Sequence, residues 1–187
     1  MKEKNSGRDI VVIAIGIVLF FILGRFSAIG IAGSNETVNL NIGILAMICA
    51  FFGPFAGVIA GFAGQTAVEM SWFGFAVGRF AWGNIIAMAG FGFLMGFFAK
   101  GLYLHIKRKG GKKILLFQIM QVITNFAVWV IVRPVCNALF FRQGMKKELA
   151  TGLVAWLANV IIVAVISSIW LWIYFKPKKE KTKKASA

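Results

Sequence analysis

The sequence alternates long apolar runs with short polar loops. Six runs can be distinguished, at about residues 9–31, 39–52, 54–70, 83–104, 114–140 and 149–175. Runs of roughly 20 apolar residues are typical of helices that cross a lipid bilayer, and the second and third runs are shorter than this. We therefore predict an all-α membrane protein, a bundle of six transmembrane helices. Because this number is even, the N- and C-termini lie on the same side of the membrane.

The second and third runs meet at a glycine-proline corner in the stretch Phe51 to Gln65, FFGPFAGVIAGFAGQ. Proline is tolerated in the first turn of a helix, so one helix is expected to end just before the corner and another to begin at Pro54. Gly53, Gly57 and Gly61 then share one helical face. Small residues on one face let a neighbouring helix approach to backbone contact in lipid. The corner therefore predicts a closely packed bundle.

Composition supports a membrane location. Apolar residues make up 59% of the 187 positions, and the mean hydropathy is +0.82, whereas soluble domains have roughly 45–50% apolar residues. Most of the 21 Lys and Arg residues fall within 2–8, 100–113 and 176–184, and the six-helix path places these three stretches on one side. Cytoplasmic loops carry an excess of Lys and Arg, so both termini are predicted to be cytoplasmic.

The same pattern divides the chain into three parts. Residues 1–8 form a cytoplasmic basic lead, 9–175 form the membrane domain and 176–187 form a basic cytoplasmic tail. Basic runs next to membrane helices are attracted to anionic lipid, so the net charge of +15 does not require nucleic acid. We predict a multi-pass protein of the cell membrane.

The residues that usually carry catalysis form no recognisable pattern. Cys49 and Cys136 lie in apolar segments without a C-x-x-C spacing, and His105 is the only histidine. The sequence has no phosphate-binding glycine loop, no nucleophile elbow and no paired carboxylates. It therefore predicts no metal site, no cofactor and no enzymatic activity.

Polar residues inside apolar segments are costly and mark candidate functional positions. Arg133 is the sharpest of them, since a guanidinium in the outer half of a helix must meet a carboxylate, a carbonyl or substrate oxygens; Pro134 directly after it is expected to kink the helix. Glu69 is expected to pair with Arg25 or Arg79, or to touch a substrate. Spacings of three or four residues put one inward-facing stripe on the fifth segment: Gln118, Gln121, Asn125, Trp129, Arg133 and Asn137.

Two loops at the same end leave alternatives open. Asn35, Asn39 and Asn41 flank the start of the second helix, where they would either line a ligand site or cap an ordinary polar turn. Trp72 and Trp82 belong to an aromatic stretch that would form either an interfacial belt or a lid stacked on a planar ligand.

Four stretches resemble the substrate-binding S components of energy-coupling factor (ECF) vitamin importers, which are ABC transporters. They are IAIGIVLFFILGRF in the first helix, FFGPFAGVIAGFAG at the corner, NFAVWVIVRPV in the fifth helix and TGLVAWLANVI in the sixth. The likeness runs in order from Asp9 to Phe175 and is strongest to the riboflavin-type branch. It implies a six-helix subunit that captures a vitamin at its extracellular end. Such a subunit docks on a shared transmembrane coupling protein driven by two cytoplasmic ATPases.

The resemblance also implies roles for particular residues. The outer loops and helices four to six would shape the pocket, and the first three helices would face the coupling protein. The implied substrate-binding residues are Asn35, Asn39, Asn41, Trp72, Arg79, Trp82, Asn84, Asn125, Trp129, Arg133 and Asn159. The family's Ala-x-x-x-Ala docking motif is present only as Ala14-Ile-Gly-Ile-Val18. Docking is therefore expected to use Ala14, Gly16, Val18, Gly53, Gly57 and Gly61.

The outer loops also bear on the cargo, because they combine aromatic residues with Arg and Asn and lack an acidic cluster. This argues against a polycation and favours a large neutral or weakly anionic molecule with rings and amides. Related S components include one for cobalamin, so cobalamin is our prediction. The alternatives are a hydroxymethylpyrimidine or thiamine precursor, riboflavin and a queuosine precursor. A membrane scaffold that binds no solute is the rival function; an ion channel is disfavoured because the inner half of the last two helices is apolar.

Overall fold

The computed structural model describes residues 6–30, 37–74, 81–105 and 110–175. In chain order its elements are α1 (Ser6–Phe26), β1 (Ile29–Gly30), β2 (Thr37–Val38), α2 (Asn41–Phe52), α3 (Pro54–Phe73), α4 (Ala81–His105), α5 (Gly110–Phe126), a π-helical segment (Ala127–Val132), α6 (Arg133–Phe141) and α7 (Met145–Phe175). The π-helical segment joins α5 and α6 without a gap, so these three form one continuous helix. The described residues thus form six helical rods, and the predicted helical architecture is confirmed.

Three stretches among the described residues are both long and apolar enough to cross a membrane. They are Ala81–Lys100, Lys112–Phe141 and Met145–Ile173. Ile10–Phe26 and Asn41–Phe52 are shorter apolar helices. That all six rods cross the bilayer stays a prediction.

A short antiparallel strand pair, β1 and β2, follows α1, and the sequence analysis did not predict it. The helix ends at Phe26, earlier than expected, next to Ser27. The Ser27 hydroxyl donates to the Leu23 carbonyl oxygen at 2.5 Å and accepts from the Leu40 amide at 2.9 Å. One side chain thus ends α1 and ties it to the start of α2.

The central helix of the bundle is α2. It contacts α1, α3, α4 and α7, and nearly all of its residues from Asn41 to Cys49 are buried. A helix that is covered on every side needs no polar face. This explains why the sequence after Asn41 is uniformly apolar and shows no amphipathic stripe.

The glycines of α3 pack directly on α4, where a Cβ atom at Gly57 would collide with the carbonyl oxygen of Gly92. One at Gly61 would collide with the carbonyl oxygen of Met88. On α4, a Cβ atom at Gly96 would lie 2.5 Å from the Cα atom of Pro54. Side chains cannot be accommodated at such distances, so glycine alone permits the backbone contact.

This packing corrects the prediction that Gly53, Gly57 and Gly61 form a docking face for a partner protein. α4 of the same chain covers Gly57 and Gly61, and all three glycines are buried. Gly53 has a different role, because its φ of 85° turns the chain from α2 into α3, a conformation that glycine adopts readily. Pro54 begins α3, as predicted.

The predicted docking residues of α1 divide between two faces. Gly16 is buried against the side chain of Ile48 on α2. Ala14 and Val18 lie on the exposed side of α1. Of the six predicted docking residues, these two are therefore the ones that a partner can reach.

The two ends of the bundle differ in chemistry. One end holds the start of α2, the end of α3, the start of α4, the end of α6 and the start of α7. The other end holds the Gly53 corner and the junction between α4 and α5, with Lys100, Lys112 and Lys113 nearby in the chain. The polar residues predicted to bind substrate belong mainly to the first end.

Gly57→Leu is expected to lower the melting temperature of the purified protein. The new side chain has no space against the α4 backbone, and overpacking typically costs about 1–3 kcal/mol. Size-exclusion chromatography of heated samples measures the change. Gly90→Ala is the matched control, because the nearest atom to an added Cβ, Val128 Cγ2, is 3.9 Å away and alanine favours the helix. A Gly57→Leu protein as stable as the parent would contradict this packing.

Candidate functional site

A cavity of about 500 Å³ lies between the helices at the end of the bundle that is away from Lys100, Lys112 and Lys113. Its walls come from β2 and from every helix except α1 and α5. The lining residues are Thr37, Asn39, Asn41, Gln65, Val68, Glu69, Trp72, Ala81, Asn84, Met88, Trp129, Arg133, Asn137, Gln143, Lys147, Glu148, Thr151, Ala155 and Asn159. The cavity therefore joins apolar surface with a dense set of amides.

A chain of hydrogen bonds links three helices across the cavity wall. The Gln65 amide donates to Glu69 Oε1 at 2.8 Å, and the Asn84 amide donates to the same oxygen at 3.1 Å. Arg133 Nε donates to Asn84 Oδ1 at 2.8 Å. Asn84 thus donates to the Glu69 carboxylate on α3 and accepts from the Arg133 guanidinium at the start of α6. Hydrogen bonds to charged groups are the stronger ones, so this chain fixes the orientation of each side chain.

Glu148 of α7 is a further partner of Arg133. Its Oε2 atom accepts from the Asn137 amide at 2.7 Å and lies 3.9 Å from Arg133 Nη1. Both Arg133 and Glu148 are about 95% buried or more. Of the alternatives predicted for Arg133, a carboxylate is therefore present, although the sequence analysis did not identify which residue provides it.

The charged residues in the cavity lining balance one another. Glu69 and Glu148 are acidic, and Arg133 and Lys147 are basic. A buried charge is tolerated when it is paired and hydrogen-bonded. The formal charge of the lining is therefore close to zero, which favours a ligand without a strong net charge.

The π-helical segment positions Trp129 and Arg133. It ends at Val132, two residues before Pro134, and the Arg133 amide bonds back to the Val128 carbonyl oxygen. A proline within a helix removes a backbone donor, and the wide turn lies just before this proline. That Pro134 kinks the helix stays a prediction. A Cβ atom at Gly152 of α7 would collide with the Trp129 carbonyl oxygen. Glycine therefore lets α7 pack tightly against the wide turn.

Several buried atoms of the cavity lining have no hydrogen-bond partner among the residues that the structure describes. They are Asn39 Oδ1, both Asn41 side-chain polar atoms, Gln65 Oε1, Asn137 Oδ1 and Trp129 Nε1. Asn41 is fully buried with its whole carboxamide unpaired. A buried unsatisfied group costs about 1–3 kcal/mol, and native proteins pair such groups with water or ligand. The set marks where water or a ligand in the cavity would find donors and acceptors.

Most of the predicted substrate-binding residues come together in this lining: Asn39, Asn41, Trp72, Asn84, Trp129, Arg133 and Asn159. Trp82 and Asn125 do not line the cavity. Trp82 is 42% exposed on α4, whereas Asn125 is fully buried deeper in the bundle. Asn35 and Arg79 lie outside the described residues.

Asn125 belongs to a polar seam between α5 and α7. Its amide donates to the Gln121 carbonyl oxygen at 3.0 Å, and the Gln118 amide donates to the hydroxyls of Ser167 and Ser168 at 2.9 and 3.0 Å. The predicted stripe on the fifth segment is buried at Gln121, Asn125, Arg133 and Asn137. Its part from Trp129 to Asn137 lines the cavity, and its part from Gln118 to Asn125 lies between α5 and α7.

Sequence reasoning did not assign several cavity residues to the site: Thr37, Gln65, Asn137, Gln143, Lys147, Glu148 and Thr151. Gln65 precedes Glu69 by four residues, a spacing that brings the two side chains together on a helix, so this pair was detectable. Glu148 stands in a loop-like polar stretch, and its approach to Arg133 depends on tertiary packing. Glu69 accepts hydrogen bonds from the Gln65 and Asn84 amides. The guanidinium of Arg25, one of the partners predicted for Glu69, lies 3.9 Å from the centroid of the Trp72 ring.

The side chains of the site also show whether it could hold a metal ion. Among the residues that the structure describes, no group of three or more His, Cys, Asp or Glu side chains is arranged to hold a metal ion. The described site offers amides, indoles and balanced charges. These groups recognise an organic molecule through hydrogen bonds and stacking.

Comparisons with known proteins give one family and one fold. The model of a family described as "ECF-type riboflavin transporter, S component" matches residues 4–176. The chain is 33% identical over 184 residues to a UPF0397 protein of Leuconostoc citreum, covering 97% of this chain and 96% of that one. It is 30% identical over 180 residues to a UPF0397 protein of Lactiplantibacillus plantarum, covering 96% and 95%.

Two solved structures share the architecture. The S component for biotin from an ECF-type ABC transporter has a TM-score of 0.66 at 18% identity, covering 95% of this chain and 96% of that one. FolT bound with folic acid has a TM-score of 0.54 at 15% identity, covering 85% and 90%. At these identities the likeness shows the fold.

Asn84→Ala is expected to destabilise the protein by about 1–3 kcal/mol, because Glu69 and Arg133 would each lose a buried partner. Combining it with Glu69→Ala should give a non-additive change, with a coupling of about 0.5–3 kcal/mol. Thermal unfolding of the single and double variants in micelles measures both. Thr66→Ala is the control on α3, since the Thr66 hydroxyl bonds to the Phe62 carbonyl oxygen of its own helix. Additive effects of Asn84→Ala and Glu69→Ala would rule out the bridge.

Proposed function

The chain belongs to the family of S components of ECF-type riboflavin transporters, and we propose that it captures an extracellular vitamin for import. S components are membrane-embedded, substrate-binding transporter subunits and not enzymes. The observation that carries the proposal is the cavity of about 500 Å³ whose buried amides lack partners among the described residues. A bound vitamin would satisfy these groups, whereas a scaffold gains nothing from keeping them unpaired.

The proposed orientation follows from the charges. Cytoplasmic loops of membrane proteins carry an excess of Lys and Arg. Lys100, Lys112 and Lys113 lie near the α4–α5 junction, at the end away from the cavity. We propose that all six helical rods lie in the bacterial plasma membrane, with both termini in the cytoplasm and the cavity open to the outside.

The cavity supports a substrate class. Its volume of about 500 Å³ falls within the range of roughly 300–1,000 Å³ that is typical for drug-sized ligands. Trp72 and Trp129 offer ring faces, and the amides offer both donors and acceptors. We propose a ring-containing vitamin or vitamin precursor that is uncharged or weakly charged and bears N–H or O–H groups and carbonyls.

The predicted cargo, cobalamin, is much larger than this class. A corrinoid with its nucleotide arm exceeds a cavity of about 500 Å³, so riboflavin, a pyrimidine precursor or a deazapurine precursor fits the space better. The two structural neighbours, described as binding biotin and folic acid, support a vitamin of moderate size. Cobalamin is kept in the binding test, because comparing its binding with that of smaller vitamins separates a large cargo from one of moderate size.

Transport requires partners, which we propose to be a transmembrane coupling protein and two ATPases. Ala14 and Val18 lie on the exposed side of α1, where a neighbouring helix can pack against them. The glycine face of α3 is already covered by α4. The proposed docking surface is therefore the outer face of α1.

Mass spectrometry of small molecules that co-purify with the protein tests the function directly. Retention of a vitamin-sized molecule, followed by titration of riboflavin, biotin, folic acid, thiamine and cobalamin in a calorimeter, would identify the class. A purified, folded protein that retains no solute and binds none of these would favour the scaffold.

Trp129→Phe is expected to weaken binding of the retained vitamin by about tenfold, equivalent to about 1.4 kcal/mol. The reason is that the buried Trp129 indole N–H has no acceptor among the described residues and is available to the ligand. Trp156→Phe is the matched control, because its indole N–H donates to the Val122 carbonyl oxygen at 3.2 Å, outside the cavity lining. Equal loss of affinity in both variants would contradict the role of Trp129.

A further inference from the structure

Trp72 stands between the cavity and an arginine that does not line it. Trp72 lies near the end of α3, lines the cavity and is 48% exposed. The Arg25 guanidinium carbon lies over the Trp72 ring, 3.9 Å from its centroid. Arg25 belongs to the last turn of α1 and is absent from the cavity lining. One face of the indole is therefore covered by the guanidinium, so a ring ligand that stacks on this indole would use the other face.

The second cavity tryptophan carries a similar cation. The Arg133 guanidinium carbon lies 5.7 Å from the centroid of the Trp129 ring. Both tryptophans that line the cavity thus have an arginine over the ring. A tryptophan face attracts one cation through its π-electron density. A second cation on the opposite face would meet the repulsion of the first across the ring.

The nearby carboxylates do not cancel this preference. Glu69, one turn before Trp72, accepts from the Gln65 and Asn84 amides. Glu148 accepts from Asn137 and lies 3.9 Å from Arg133 Nη1. Each carboxylate is thus bound to groups of the protein, while the ring faces lie beside guanidinium groups. A neutral or anionic ring fits between these faces better than a cationic ring.

We propose that Arg25 acts from outside the cavity as a positioning residue, which holds the Trp72 ring and sets a preference for neutral or anionic ring ligands over cationic ones. This inference rests on the proposed function for its ligand, but the electrostatics of the Trp72 face can be measured without one. Arg25 thereby links the end of α1 to ligand selection.

Collisional quenching of tryptophan fluorescence by iodide and caesium ions tests the proposal in nanodiscs at constant ionic strength. The Trp72 signal is the difference between the parent and Trp72→Phe. Iodide should quench Trp72 more strongly than caesium, and Arg25→Gln should lower the iodide-to-caesium ratio by about two- to fivefold, because one unit charge at contact distance changes the local population of an ion in water by a factor of this size. Arg25→Lys should restore part of the ratio.

Arg142→Gln is the matched control. It removes the same charge at the same end of the bundle, from a residue outside the cavity lining. The control should leave the Trp72 ratio unchanged. An equal change in Arg25→Gln and Arg142→Gln, or no change in either, would overturn the proposal.

A second measurement addresses selectivity with riboflavin as the neutral ring and thiamine as the cationic ring. The ratio of the thiamine Kd to the riboflavin Kd should fall by about two- to fivefold in Arg25→Gln and stay constant in Arg142→Gln. An unchanged ratio in Arg25→Gln would overturn the selectivity role. If the parent binds no vitamin while the ion quenching behaves as expected, the proposed function fails and the positioning of Trp72 by Arg25 stands.

Discussion

Backbone contact between α3 and α4 is the constraint on which the cavity depends. Gly57 and Gly61 on α3, with Gly92 on α4, allow the two helices to touch along their length. This closeness lets the Asn84 amide on α4 reach Glu69 on α3 at 3.1 Å. A wider separation would remove that bond and leave a buried carboxylate short of donors, which is costly in an apolar interior.

The same contact governs the far wall of the cavity through Arg133. Because Asn84 is held by Glu69, its oxygen is directed to Arg133 Nε at 2.8 Å. Arg133 then stands within 3.9 Å of Glu148 on α7. The backbone contact between α3 and α4 therefore influences how the Arg133 and Glu148 side chains are oriented on the other side of the cavity. The Asn41 carboxamide and Gln65 Oε1, which have no partner among the described residues, remain available within this rigid frame.

Sequence patterns predicted the helices, the glycine corner and the polar end of the bundle, because each depends on the spacing of residues that are close together in the chain. Arg133 and Trp129 were identified for the same reason: polar groups stand out in an apolar helix. Glu148 was not identified, since its role depends on α7 packing beside α6. The glycine face of α3 was correctly interpreted as a close contact, but spacing does not reveal whether the covering helix comes from the same chain or from a partner. The strand pair after α1 was missed because two-residue strands leave almost no pattern.

The π-helical segment has a geometric consequence for the polar stripe. In an α-helix a step of four residues advances about 40° past a full turn, so three steps from Asn125 to Asn137 would drift by about 120°. A π-helical turn holds more residues than an α-helical one and removes most of that drift across Ala127–Val132. The segment thus keeps Arg133 and Asn137 on the same face of the helix as Asn125. Because the wide turn takes up an extra residue over nearly the same rotation, loss of a single residue there would restore an ordinary α-helical turn and leave Arg133 and Asn137 in phase. The extra residue therefore adds width to the helix beside α7 and does not rotate its end.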